Sequence, residues 1–156
     1  MSWTAAAAFK MSGVIQLPAS WGKAEIRPAA PRIACAAAAG PRAYDHLGNL
    51  LSWFPSADFS VKKFACDIED CSRDISFMAS SLGVEATRFH RGWVASEVLA
   101  KLADMPILQW LKTRGLFLCE TGVPVRAEIP ASPFAGVAQL MVVADGVRMM
   151  AFGFVR

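Results

Sequence analysis

Six side chains in this sequence carry chemistry that an aliphatic core cannot supply: Cys35, Cys66, Cys71, Cys119, His46 and His90. Thiols and imidazoles together suggest either a metal centre or a cysteine nucleophile, and spacing separates the two. Four residues separate Cys66 from Cys71, and His90 follows nineteen positions after Cys71. A structural zinc needs four ligands, usually as two closely spaced pairs. Here Cys119 stands alone and His46 lies far upstream. On a helix starting at residue 67, Cys66 and Cys71 would also project about 140° apart. No metal is expected. A thiol-dependent enzyme would rest on Cys119, beside Glu120, with a distant histidine as its base. The plainer reading puts His46 on a helix surface and His90 in the loop before Trp93. The chain has no Gly-rich loop between strand and helix, no phosphate-loop pattern, no dinucleotide fingerprint and no His-Glu-x-x-His. No cofactor is expected, and the balance falls against an enzyme.

The elements that would position these groups read as helices first and strands later. Tyr44, Leu47, Leu50, Leu51 and Phe54 recur at helical spacing over 44–54, and Pro55 stops the run. The segment 59–64 fits a short strand or a helix lead-in equally. Asp67 suits an N-cap for a helix over 67–82, with Ile68, Cys71, Ile75, Met78 and Leu82 on one face and Gly83 at its end. Two helices with a tight break span 93–114. Val94, Val98, Leu102 and Met105 stripe the first, Asp104 and Pro106 open the second, and Gly115 ends it. The period then changes to two: strands over 116–120 and 123–129 around Thr121-Gly122, and strands over 136–144 and 147–155 around Asp145-Gly146. There is no internal repeat. The expected fold is α+β: a helical N-terminal half of three to four helices, then an antiparallel sheet of two hairpins.

The stretch from Ser96 through Lys101, Asp104, Pro106, Gln109 and Trp110 to Phe117 resembles the helix-turn-helix of winged-helix proteins. On that resemblance 116–129 is the wing, and the helix over 67–82 precedes the pair. It implies a nucleic-acid partner met by Lys101, Gln109, Lys112, Arg114 and Arg126. Against it, Ile107, Leu108, Trp110 and Leu111 read as packing residues, and Glu120 and Glu128 oppose phosphate.

Composition narrows the class further. The 156 residues are 54% hydrophobic and 19% charged, which excludes a disordered or charge-rich coiled-coil chain. Lys and Arg number sixteen against thirteen Asp and Glu, and the excess is local. Residues 1–42 hold Lys10, Lys23, Arg27, Arg32 and Arg42 against Glu25 alone; the rest has eleven basic and twelve acidic groups. A near-neutral body carries no phosphate-binding footprint. No uncharged run is long enough to span a bilayer. Residues 1–42, rich in Ala and Pro, read as an arm, and 43–156 as one α+β domain. The string Ile33-Ala34-Cys35-Ala36 resembles the loose cleavage pattern of plastid transit peptides. If residues 1–35 are such a leader the home is a plastid or mitochondrion; otherwise it is intracellular, cytoplasmic or nuclear. The irregular cysteine spacing suits reduced thiols.

The leading expectation is a small non-enzymatic interaction protein or assembly subunit that buries apolar surface against a protein partner or a second copy. Trp3 and Trp21, in the arm, are expected at that interface. So are Met149, Phe152 and Phe154 of the last hairpin, whose strands carry Arg148 as the only charge before Arg156. That hairpin must be covered on both faces, by helices or by another chain.

Overall fold

The structure, a computed structural model, describes residues 13–28, 40–56, 60–130 and 136–156. Eight strands and three α-helices lie among them, and strand outweighs helix. An N-terminal antiparallel sheet contains β1 (Gly13–Ile15), β2 (Lys23–Arg27), β3 (Arg42–Tyr44) and β4 (Leu50–Phe54), in the order β1-β2-β4-β3. A C-terminal antiparallel sheet contains β5 (Lys63–Asp70), β6 (Val125–Ile129), β7 (Gly136–Ala144) and β8 (Arg148–Val155), in the order β5-β8-β7-β6. Between β5 and β6 the chain forms α1 (Ser76–Ser81), α2 (Ala86–Leu102) and α3 (Ile107–Arg114). The expected helical N-terminal half is therefore corrected: strands come first, and the helices sit mid-chain.

Two local causes explain the correction. Over 44–54 the apolar spacing mimics a helix, but the Asp45 carboxylate ties the chain into a turn. It accepts from the backbone N–H groups of Leu47 at 3.0 Å and Asn49 at 2.8 Å, and from the Asn49 side chain at 2.7 Å. Such short-range bonds offer the backbone an alternative to a helix, and β3 and β4 form on either side. Over 63–70, Phe64, Cys66 and Ile68 point one way while Ala65, Asp67 and Glu69 point the other. Both sides are covered, so this strand shows no polar, solvated face. The helical reading of 67–82 keeps only the short α1.

The C-terminal sheet is the middle of three layers. One face packs on α2 and α3 through Ala65, Ala127, Ile129, Ala138, Leu140, Val142, Met149, Ala151 and Val155, which meet Val94, Val98, Leu99, Leu102 and Trp110. The other face packs on the N-terminal sheet, where Cys66, Ile68, Met141, Met150, Phe152 and Phe154 meet Ile15, Trp21, Ala24, Ile26, Leu51 and Trp53. Trp21 stacks on Trp53 with centroids 6.1 Å apart and meets Phe154 edge-on at 5.0 Å. The Trp53 indole donates to the Trp21 carbonyl at 2.7 Å. Part of the segment read as an arm is thus core, and the chain's own layers cover both faces of the last hairpin.

Two glycines permit close approaches. Gly22 turns into β2 at φ +83°, where a Cβ would lie 2.2 Å from the Phe54 carbonyl. On β8, a Cβ at Gly153 would lie 2.6 Å from Val98 of α2, so the bare backbone lets the helix settle onto the sheet. The break between α2 and α3 falls as the sequence predicts, by another device. Asp104 adopts a left-handed conformation at φ +52° and pairs with Lys63, and Pro106 occupies the cap position of α3. The turn at Asp145-Gly146 joins β7 to β8 as expected.

Candidate functional site

Ionisable groups are buried where α2 crosses β5, the edge strand of the C-terminal sheet. Asp67 and Glu69 face the helix and are 7% and 8% exposed. Lys101, in the last turn of α2, donates to Asp67 Oδ1 at 2.7 Å and to the Cys66 carbonyl at 3.0 Å. Glu97 sits one helical turn earlier, with Oε2 buried and unpartnered. Burial pushes the Asp67 carboxyl up to about 7, against the pull of Lys101. Burial also raises Glu97, again opposed by Lys101. The Cys66 thiol, facing the other way, is pushed by burial up to about 12 and stays protonated.

At the other end of this seam, β5, α1 and the start of α2 enclose a recess of about 70 Å³, lined by Glu69, Arg73, Ile75, Met78, Phe89, His90 and Trp93. An outer cleft of about 250 Å³ shares Arg73, Ile75 and His90 and adds Cys71, Asp74, Ser76, Ala86 and Thr87. Phe89 and Trp93, a turn apart on α2, stack with centroids 5.7 Å apart. His90 is 4% exposed, and its Nδ1 has no hydrogen-bond partner. Burial lowers its pKa below the ordinary histidine value, with Glu69 and Asp70 pulling the other way, so the ring is neutral at pH 7. Arg73 donates to Glu69 Oε1 at 3.3 Å, and half of its side chain remains exposed. Asp74 accepts from the Ser76 amide at 3.0 Å and hydroxyl at 2.6 Å, which holds its carboxyl below the usual value. The first turn of α2 has no side-chain cap.

Of these buried groups Glu69 and His90 line the recess, and buried ionisable groups in a cleft mark a functional candidate, because burial without a partner is costly. A metal centre does not follow: among the described residues no group of three or more His, Cys, Asp and Glu side chains is arranged to hold an ion. Thiolate chemistry is also disfavoured. Burial raises the Cys71 thiol, helped by Asp70, Asp145 and Glu69, and burial raises Cys119, with Arg91 opposing and Glu120 adding to the rise. A nucleophilic cysteine needs the opposite environment. The larger groove along β1, about 650 Å³, is lined by Val14, Gln16, Lys23, Glu25 and Phe54 among others, and no buried ionisable group points into it.

The residues singled out from the sequence fall elsewhere. Lys101 is committed to Asp67 between helix and sheet. Gln109, Lys112 and Arg114 are exposed on α3, and Arg126 is exposed on β6. The expected wing strand over 116–120 is absent: β6 pairs with β7, and only Thr121 makes an isolated bridge, to Val142. Trp21, Met149, Phe152 and Phe154 are 4%, 8%, 0% and 1% exposed, so the chain's own core takes these four expected interface residues. Trp3, Cys35 and the string Ile33-Ala34-Cys35-Ala36 lie outside the described residues. His46 is exposed in the turn between β3 and β4. His90, expected in a loop, is on α2. Sequence reasoning missed Glu69, Arg73 and Phe89; the one available signal was a run of acids, Asp67, Glu69 and Asp70, too apolar in its other positions for a solvated helix.

By architecture the chain is a three-layer α+β protein with a polar cleft at one edge of its middle sheet. No family model, no curated protein and no solved structure matches it. Among the described residues no helix is long and apolar enough to cross a membrane.

Proposed function

We propose that the chain works by binding another protein, whose apolar anchor enters the cleft between α1 and the start of α2. The observation that carries this reading is Phe77, 85% exposed on α1 and one residue from Met78, which lines the recess. Leu82, just beyond the same helix, is 49% exposed. A large aromatic held in water beside an apolar recess is the arrangement of a binding rim, where a few anchors dominate affinity. On this reading the partner surface lies at α1, since Trp21, Met149, Phe152 and Phe154 are buried within the chain. No comparable observation favours nucleic acid: Lys101 is paired with Asp67 within the chain, and the wing strand expected over 116–120 is absent.

On this proposal the expected home stays inside the cell, in the cytoplasm or nucleus. A leader cut near residue 35 would take β1, β2 and Trp21 away from the core, which weighs toward retention of that segment.

A photoreactive phenylalanine analogue at position 77, with the same probe at Arg126 as comparison, tests this reading in cells that make the protein. The expected result is one discrete protein adduct from position 77, mapped to a single segment of the partner. No adduct from position 77, or nucleic-acid adducts from position 126, would overturn it.

A further inference from the structure

We infer that β6 pairs with the β6 of a second copy of this chain, antiparallel and centred on Ala127, so that two middle sheets join into one. β6 is the far edge of that sheet, opposite the β5 edge that carries the cleft. Among the described residues its one strand neighbour is β7, with α2 packed beneath. A sheet edge presents a row of N–H and C=O groups and accepts another strand unless its side chains prevent it. Val125, Ala127 and Ile129 face the helices, the last two of them buried, while Arg126 and Glu128 point the other way and are exposed. Their opposite residues on β7 are Gln139 and Val137, which offer no countercharge. Among the described residues neither makes an ion pair within the chain.

The sequence of the strand selects the occupant. Pro124 and Pro130 stand immediately outside it, and proline cannot donate to a ladder, so β6 offers its five residues and no more. Directly opposite residues share a face. With the helices of both copies on the same side, the two-fold axis must therefore pass through a residue of the strand. An axis at Arg126 sets arginine against arginine, and one at Glu128 sets glutamate against glutamate; each also runs the two strands past one another. An axis at Ala127 overlaps the whole strand, opposes Arg126 to Glu128 twice, and sets Val125 against Ile129 on the helix side. Opposite charges directly across a ladder stabilise it and like charges destabilise it. An edge guarded against its own copy would carry charge of one sign, whereas this one carries both signs in the order that its copy complements. In the joined sheet β5 is the outer edge on each side. The dimer therefore carries two α1 clefts at its two ends. Their use in binding rests on the proposed function; the pairing of β6 does not.

Sedimentation of the full chain from about 1 μM to about 1 mM tests the pairing, over the range suited to a small interface. The parent is expected to pass from monomer to dimer. Arg126→Glu and Glu128→Arg, each alone, set like charges against each other at both contacts and should weaken the dimer about tenfold or more, with unchanged melting. An equimolar mixture of the two variants recreates both opposite-charge contacts and should dimerise as the parent does, and so should the chain that carries both substitutions. In the parent, mixed labelled and unlabelled chains should show intermolecular NMR contacts between the Val125 and Ile129 methyl groups. A monomer throughout, single variants that dimerise like the parent, a mixture that stays monomeric, or intermolecular contacts at another surface would overturn the inference. A protein adduct from position 77 with a monomeric parent sinks the pairing and leaves the cleft reading standing. The expected dimer without an adduct from position 77 confirms the pairing and sinks the cleft reading.

Discussion

The middle sheet has two faces, and they are built by different rules. Toward the N-terminal sheet it presents Cys66, Ile68, Met150, Phe152 and Phe154, closed by Trp21 and Trp53 in an aromatic interior. Toward α2 it presents non-aromatic apolar residues over most of its width and, at the β5 edge, Asp67 and Glu69. Dispersion and the hydrophobic effect account for most of the first face, with the Trp53 indole bond to the Trp21 carbonyl inside it. The second face buries carboxylates, and a buried ion pair often fails to outweigh its desolvation. The face that costs more to fold is the one that leads to the cleft. That difference separates the part of the molecule that holds it together from the part that can recognise something else.

Removing Trp21 gives the largest effect and tests the first face. Trp21→Ala should cost about 3–5 kcal/mol in urea unfolding, as other buried aromatic truncations do. A change below about 1 kcal/mol would mean that this ring serves a partner, as its position near the N-terminus first suggested, and the contrast between the faces would lose its first half.

What the sequence disclosed follows the same division. The pair of helices broken near Pro106, the strands over 125–129 and 136–155 and the Asp145-Gly146 turn were legible because each has its own period, glycine or turn chemistry. Two elements were not. The run of Tyr44, Leu47, Leu50, Leu51 and Phe54 has helical spacing by coincidence, and the Asp45–Asn49 bonds decide the outcome locally. The β5 strand hides because its charged residues face a helix instead of water, against binary patterning. Such violations concentrate at functional sites, so the residues that defeated the reading of β5 also supply the cleft with Glu69. The role of Trp21 was hidden for another reason: its partners, Trp53 and Phe154, are distant in sequence, and no local pattern announces a sheet that far away.

The buried seam is sharpened by its pH dependence. The Asp67 carboxyl has an ordinary value of 3.8 in the unfolded chain and about 7 in the fold. Between those values the folded state holds a proton that the unfolded state has lost. The contribution of Asp67 is therefore fully present below 3.8 and is lost as pH rises through about 7. By linkage the whole span is worth at most about 4 kcal/mol. His90 acts in the opposite sense: its pKa is lowered in the fold, so its contribution is present above the ordinary value of 6.5 and lost as pH falls. Asp67→Asn should make the downward slope between pH 4 and 7 shallower, leaving the fall from Glu97, whose carboxyl burial also raises, set against the rise from His90. Urea titrations at several pH values read this directly. Identical pH profiles for the variant and the parent would mean that Lys101 holds Asp67 ionised throughout, and that the seam is an ordinary satisfied ion pair.

The smallest effect concerns how closely α2 lies on the sheet, and it tests whether the seam and the cleft depend on that distance. A Cβ at Gly153 would come within 2.6 Å of Val98 Cγ1 and 3.2 Å of Leu102, so Gly153→Ala must push the helix outward or force a rotamer. Overpacking of this kind costs about 1–3 kcal/mol. If the cost is purely steric, Val98→Ala should recover part of it in the double variant, a coupling measurable as a deviation from additivity. Lys101 and Asp67 lie along the same helix–sheet contact, so an outward shift should also lengthen their bond and flatten the pH profile of the single variant, and the second substitution should restore it. Recovery of stability without recovery of the profile would show that the ion pair is set locally by β5 and the last turn of α2, independent of the apolar packing beside it.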